Sequence, residues 1–206
     1  AYSVQARELT QMQTILQNQI ERLGSHFFKE GSVVIPGQTG FDITYSYVKL
    51  QSTFTVSGTE HTAENFRTSL VGVKLTGVTT GVIAKVVNTI AGDGSDDLTI
   101  FVKYESSGTV AGGTTNTVFG NGESLTTDTA ISYTSGDDTV TISAASQAAL
   151  TSASAATGVG SSASVQKGIF YIRGAFVQAT TQTIILDKYS NTPSYRIGFS
   201  VTESLV

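Results

Sequence analysis

The two histidines are the first residues of this chain that could bind a metal. His26 and His61 lie far apart in the sequence, and neither has the third nearby ligand that a zinc site requires. We therefore interpret both as structural or exposed residues and predict no metal site. One alternative stays open, because a trimer could build a metal site from one His26 of each copy.

Three aspartates in the turn at residues 92–97 could bind Ca²⁺. Asp93, Asp96 and Asp97 lack the alternating oxygen ligands and the distant glutamate of an EF-hand. Glycine and aspartate between two strand patterns are typical of a hairpin loop. The sequence therefore favours a solvated hairpin turn, and we predict no cofactor.

Catalytic motifs are equally hard to find. Glycoside hydrolysis needs two carboxylates that face each other across a groove. The candidate glutamates are scattered, and no spacing pairs them: Glu30, Glu60, Glu64, Glu105, Glu123 and Glu203. There is no GxSxG, no Walker loop and no GxGxxG before a helix, and the glycine-rich stretch at 158–162 lacks a flanking strand and helix. The sequence predicts that the chain is not an enzyme.

The strongest structural pattern is the opening, VQARELTQMQTILQNQIERLG, at residues 4–24. Its apolar residues are spaced by three, four, four and three positions, which places them on one stripe of a helix: Leu9, Met12, Leu16, Ile20 and Leu23. Ile15 widens the stripe, and Gly24 ends the helix. An isolated helix of this length is marginal in water, so the stripe must pack. It packs either on the chain's own sheets or on the same helix in other copies.

Composition limits the classes of function. Only 14% of the 206 residues are charged and the net charge is −4, so the basic footprint of a nucleic-acid-binding protein is missing. No apolar run approaches the ~20 residues that cross a bilayer, and no secretion signal opens the chain. There is no cysteine. The chain begins at Ala1 in mid-pattern, so we expect it to be a segment of a longer polypeptide.

The remaining sequence reads as strands and turns. Alternating apolar residues predict strands at 71–75, 81–88, 98–104, 139–142, 168–178, 182–187 and 195–202, and an extended run from 41 to 56. The last three of these strands are expected to form a meander. The Ala/Ser-rich stretch at 144–167 predicts either a helix over 146–156 or a loop that is mobile or ordered by a partner.

These patterns predict a mainly β fold. An N-terminal α-helix precedes an antiparallel β domain that is interrupted by a small inserted β-barrel, because short strands and glycine turns fill the middle of the chain. The predicted boundaries are 1–27 for the helix, 28–68 and 131–206 for the host β domain, and 69–130 for the barrel.

The opening and closing stretches together resemble a known group of proteins. VQARELTQMQTILQNQIERLG followed by FKEGSVVIPG, and later GIFYIRGAFVQ and DKYSNTPSYRIGFSVTESLV, are similar to large structural proteins of tailed bacteriophages. The likeness is to a domain family of unassigned function in marine cyanobacterial myophages, and it covers roughly half of the chain.

The resemblance implies a place in the virion and no reaction. It implies a structural protein of the tail, baseplate or fibre that is assembled in the host cytoplasm and contacts its own copies, as a homotrimer, and other tail or baseplate proteins. In that setting the stripe residues Leu9, Met12, Leu16, Ile20 and Leu23 would form the interface between copies.

The alternative is an adhesion module that binds a host glycan or protein, with Tyr104 and Phe119 as aromatic contacts or as core residues. Neither reading involves nucleic acid or membrane insertion.

Overall fold

The computed structural model describes residues 6–109, 113–135 and 137–202. The chain forms two compact units. The helix unit comprises Ala1–Phe41 and Ser162–Ile185, and the core unit comprises Asp42–Ser161 and Leu186–Val206. Val4 and Gln5 of the predicted helix and Glu203 lie outside the described residues.

Most described secondary structure is β-strand, and it follows an N-terminal helix as predicted. The prediction that Gly24 ends this helix is wrong, since the helix continues to Phe27. The helices are α1 (Ala6–Phe27) and α2 (Ala63–Phe66), and a 3₁₀ turn spans Arg67–Leu70. The strands are β1 (Val33–Ile35), β2 (Thr39–Leu50), β3 (Thr53–Val56), β4 (Thr59–Thr62), β5 (Lys74–Gly77), β6 (Ile83–Ile90), β7 (Leu98–Ser106), β8 (Gly108–Thr109), β9 (Thr115–Asn116), β10 (Ser124–Thr127), β11 (Ile131–Ser135), β12 (Asp138–Ile142), β13 (Gln147–Leu150), β14 (Thr157–Val165), β15 (Gly168–Ile172), β16 (Ala175–Ala179) and β17 (Gln182–Asp187).

An eight-stranded sheet has the order β13-β10-β5-β6-β7-β2-β14-β17. The neighbouring strands from β13 to β2 pair antiparallel. The two ends of this six-strand run also meet, because Gln51 N–H donates to Leu150 O at 2.8 Å and Ser152 N–H donates to Lys49 O at 2.9 Å. The predicted hairpin around the aspartate turn is confirmed, since β6 and β7 pair directly.

The hydrophobic core lies in the core unit. Alternate residues of the strands point inward, and all six strands of the run contribute: Val48, Leu50, Leu75, Ala84, Val86, Leu98, Ile100, Val102, Leu125, Ala148 and Ala149. Phe66 of α2 is fully buried and contacts Phe54 edge-on, with ring centroids 5.9 Å apart. Each large side chain buried in this way contributes about 1.5–3 kcal/mol to folding.

The strands of the segment 69–130 pair with strands on both sides of it in sequence. β10 pairs with β13, and β7 pairs with β2. The sheet therefore joins the predicted barrel segment to strands of the predicted host domain. The division into a host domain and an inserted barrel stays a prediction.

The helix unit contains a smaller sheet. Its three strands have the order β1-β15-β16, with antiparallel pairing on both sides of β15. Among the large side chains described in this unit, that of Tyr171 on β15 is the most buried, with 3% of its surface exposed. α1 packs beside this sheet.

The prediction of a helix or mobile loop at 144–167 is wrong. The stretch forms β13 and β14, and Ser161 and Ala156 are fully buried. Small residues are needed where the backbone is crowded, since a Cβ at Gly158 would lie 2.6 Å from the Tyr47 hydroxyl and one at Gly160 would lie 2.7 Å from the Asp187 carbonyl. Lack of space around the backbone selects small residues for β14, and this selection leaves no periodic pattern in the sequence.

The predicted third strand of the meander is also wrong. Residues 191–202 belong to no sheet. The predicted single strand at 168–178 is a hairpin of β15 and β16, and β17 lies beside β14 and not beside β16, so the predicted meander is wrong. The preceding residues are held against the core unit, because the Tyr189 hydroxyl lies 2.8 Å from Thr99 Oγ1. A tight turn that would fold 191–202 back along β17 is not formed.

Replacing Gly160 with alanine should destabilise the core unit. The new Cβ would overlap the carbonyl groups of Asp187 and Lys188, which are backbone and cannot rotate away. We expect the free energy of unfolding in urea to fall by about 1–3 kcal/mol, the usual cost of overpacking. The control is Gly198→Ala, where a Cβ meets nothing within 4 Å. Equal stability of the two variants would contradict this packing.

Candidate functional site

The apolar stripe of α1 is exposed to solvent. Its five residues are each between 51% and 62% exposed: Leu9, Met12, Leu16, Ile20 and Leu23. Ile15 beside them is 50% exposed, and within α1 only Gly24 is buried. The described residues of the helix unit therefore leave this stripe uncovered.

A single contact explains why the stripe faces outward. α1 packs on its own unit through Gly24, which lies directly against the Tyr171 ring, and the Tyr171 hydroxyl donates a hydrogen bond to the Glu21 carbonyl at 3.0 Å. At about 100° per residue, Gly24 lies about 80° and Glu21 about 140° from the centre of the stripe. The helix thus uses one side to attach to its unit and presents another side to solvent.

The border of the stripe is mostly polar and uncharged. Gln13 and Gln19 lie next to it on the helical wheel, and Glu8 lies about 80° from its centre, whereas Arg7, Glu21 and Arg22 lie toward the opposite side. Such a surface recognises a partner mainly by shape and by amide hydrogen bonds.

Other apolar side chains of the helix unit are exposed as well. The set includes Phe27, Val33, Ile35, Phe41, Phe176, Val177 and Ile184. The main cluster of buried apolar side chains, by contrast, lies entirely in the core unit. A unit of this size that buries so little apolar surface is marginal by itself, so its exposed face is available to a partner.

The two histidines lie in different units. His26 is exposed on α1, and its Nδ1 lies 2.7 Å from the Arg22 carbonyl, to which it donates. His61 is 8% exposed on β4, where it stacks on Phe54 with ring centroids 5.6 Å apart. Within the described residues, no group of three or more His, Cys, Asp or Glu side chains could hold a metal ion.

The aspartate turn is stabilised by its own hydrogen bonds and by a lysine. Asp93 Oδ1 accepts from the Ser95 hydroxyl at 2.8 Å and from two backbone N–H groups, and these bonds lower the pKa of the Asp93 carboxyl. Lys188 Nζ lies 3.2 Å from Asp96 Oδ2 and 3.9 Å from Asp93 Oδ2. Asp93 Oδ1 and Asp96 Oδ2 are therefore engaged with protein donors.

The aromatic residues named for receptor contact lie inside the core unit. Phe119 is 2% exposed, and Tyr104 packs edge-on against it with ring centroids 5.5 Å apart. Burial raises the pKa of Tyr104 to about 12; the Phe119 backbone near the hydroxyl opposes the shift, and Glu123 adds to it. The approach of the Phe119 backbone is too loose for a well-formed hydrogen bond, so within the described residues the buried hydroxyl is left without a full partner. Both side chains serve packing.

A buried carboxylate was missed by sequence reasoning. Glu123 is 3% exposed, and its two oxygens accept hydrogen bonds from the backbone N–H groups of Thr79, Thr80 and Gly120 and from the Thr80 hydroxyl. Most of these donors are backbone N–H groups, which nearly every residue carries, so no residue type in the sequence predicts this site. This carboxylate ties the 77–81 turn to the loop before β10.

A depression in the helix unit holds several charged side chains. It is lined by Glu21, Ser25, Phe28, Lys29, Glu30, Tyr171, Arg173 and Gly174. The Ser25 hydroxyl donates to the Arg22 carbonyl at 3.0 Å, and the Glu30 carboxylate accepts from the Arg173 N–H. These polar groups therefore fix the local chain path.

Comparison of the chain with protein-family models, with curated proteins and with solved structures finds no match. In the described part of the chain, no helix has the length and apolar character needed to cross a membrane. The exposed stripe on α1 is the feature that most needs a functional explanation.

Removing the Tyr104 hydroxyl should stabilise the core unit. We expect Tyr104→Phe to raise the free energy of unfolding at neutral pH by about 1 kcal/mol, because a buried hydroxyl without a partner is lost. The folded pKa lies above the ordinary value of 10.0, so the unfolded chain releases this proton first. The wild type should therefore lose stability relative to the variant between about pH 10 and about pH 12. Urea unfolding of both proteins across this range is the measurement, and parallel curves would contradict the burial of this hydroxyl.

Glu123→Gln should weaken the core unit. The amide places an NH₂ group against backbone donors, so we expect a loss of about 2 kcal/mol or more in the free energy of unfolding. Glu105→Gln is the matched control, since Glu105 makes a surface ion pair with Lys74 at 2.8 Å and should matter much less. The account of Glu123 fails if both variants unfold at the same urea concentration.

Proposed function

We propose that this chain is a structural component of a phage tail, baseplate or fibre that works by symmetric self-association. The observation that carries the proposal is the exposed stripe on α1, formed by Leu9, Met12, Leu16, Ile20 and Leu23. The position in a virion, the contacts with other tail or baseplate proteins and the count of three copies rest on the resemblance of the opening and closing stretches to phage structural proteins.

Self-association fits the spacing of the stripe. Leu9, Leu16 and Leu23 are seven residues apart and Met12 follows the first by three, as at the a and d positions of a coiled-coil seam; Gln19 occupies the second d position, and Ile20 lies beside it. Identical helices place identical knobs and holes opposite one another, so a symmetric partner fits without further adjustment. The occupant that we propose for the stripe is therefore the same helix in other copies.

The energy available is sufficient for an interface. Each of the five side chains is about half exposed, so burying the rest contributes about 1 kcal/mol apiece. Three helices would together bury about three times that amount, before the entropy cost of association. The other exposed apolar residues of the helix unit, among them Phe27 and Phe176, can extend the contact.

The adhesion alternative, in which the chain binds a host glycan or protein, stays a second prediction. Tyr104 and Phe119 pack in the core unit and are poorly placed to contact a receptor. The alternative therefore loses the two aromatic contacts that the sequence named for it. Self-association is the function that the exposed surface supports best.

A charge in the stripe should dissociate the oligomer. Leu16→Glu places a carboxylate at the centre of an apolar seam, where each copy would bury an unpaired charge at a cost of several kcal/mol. We expect the mass in light scattering to fall to that of one chain, with the melting temperature of the core unit nearly unchanged because its core is separate. A lower melting temperature at unchanged mass would instead show that the stripe packs within the chain.

Asn18→Glu is the matched control. Asn18 is exposed on the same helix, about 160° from the centre of the stripe, and receives the same charge. This variant should keep the mass of the wild type. Dissociation of both variants would show that charge or loss of helix, and not the seam, is responsible.

A further inference from the structure

The loop before β10 contains a dipeptide that is prone to chemical modification. Asn121 is the one asparagine of the chain that is followed by glycine, and both Asn121 and Gly122 are exposed. Because glycine has no Cβ, its backbone nitrogen can approach the side-chain amide of the preceding residue with little steric hindrance. Such a pair favours deamidation, the loss of ammonia from the asparagine side chain.

The core unit engages both groups that take part in this reaction. The Gly122 N–H donates to the Ser152 carbonyl at 2.9 Å, and Asn121 Oδ1 accepts from the Ala156 N–H at 2.9 Å. A hydrogen bond to Oδ1 alone would polarise the side-chain amide and favour attack on it. The bond from the Gly122 N–H has the opposite effect, because the nitrogen must lose this proton before it can attack.

A buried threonine fixes the loop that carries the Asn–Gly pair. Thr151 is fully buried, and its hydroxyl donates to the Gly120 carbonyl at 2.7 Å and accepts from the Glu123 N–H at 2.7 Å. The Thr151 N–H also donates to the Glu123 carbonyl at 2.9 Å. Thr151 therefore bonds to the residues on both sides of the pair, and the loop at 120–123 can open only when these bonds break.

We propose that Asn121 is a deamidation site that the folded core unit protects and that becomes reactive when the loop at 120–123 opens. In the open loop, hydroxide or a buffer base removes the Gly122 amide proton, and the nitrogen attacks Asn121 Cγ. The new C–N bond closes a succinimide ring, while the Cγ–NH₂ bond breaks and ammonia leaves with a proton from the solvent. Water then opens the ring to aspartate or isoaspartate. This inference is independent of the proposed self-association.

Peptide mass spectrometry of the whole chain tests the protection. Samples are kept at mildly alkaline pH in native buffer and in guanidinium chloride, and the replacement of NH₂ by OH is followed by its mass. We expect Asn121 to react at least about tenfold more slowly in the folded chain, where the loop opens rarely. Asn191 is also exposed but precedes threonine, so it should react little in either sample. Equal rates at Asn121 in the two samples would overturn the proposal.

Two threonine variants separate opening of the loop from a general loss of stability. Thr127 is the matched control for Thr151, because it is 1% exposed and its hydroxyl also makes two hydrogen bonds, both with Thr129. We expect Thr151→Val to raise the deamidation rate in native buffer about tenfold, and Thr127→Val to change it less than about twofold.

An unchanged rate in Thr151→Val, or an equal increase in both variants, would contradict the local opening of the loop. The comparison of folded and denatured wild type needs no variant, so it decides whether the fold protects Asn121 even if Thr151→Val fails to fold.

Discussion

The packing of Tyr171 on Gly24 is the contact on which the account of the helix unit depends. The ring occupies the space where a Cβ would stand, and its hydroxyl bonds to the Glu21 carbonyl one turn earlier. Together these contacts fix the rotation of α1 about its axis. Because the attached side and the apolar stripe are different sides of the helix, a well-attached α1 still presents Leu16 and its neighbours to solvent.

The two units differ in how much apolar surface they bury. The core unit buries a continuous apolar cluster and secures its loops with polar anchors, among them the Glu123 carboxylate and Tyr189. The helix unit buries little besides Tyr171 and exposes large apolar residues. This asymmetry fits the proposed self-association, in which the core unit has its own buried cluster and other copies cover the exposed apolar residues of the helix unit.

Sequence patterns predicted the elements whose signals are periodic. The stripe of α1 and the β6–β7 hairpin could be read directly, because burial on one face leaves a repeat of 3.6 or 2 residues. β14 could not, since its serines, alanines and glycines are selected for lack of space around Gly158 and Gly160. The cradle around Glu123 is made mainly of backbone donors, which every residue carries. The segment 195–202 has the alternating pattern of a strand, but such a pattern does not show which strand it would pair with.

Sedimentation equilibrium of the unaltered chain over a wide concentration range tests the central claim, that the stripe of α1 is covered by other copies. The account predicts a reversible assembly whose mass reaches three times 21.6 kDa. A mass of 21.6 kDa at every concentration, with α1 still helical by circular dichroism, would contradict it, because the stripe would then be stable in water without a partner.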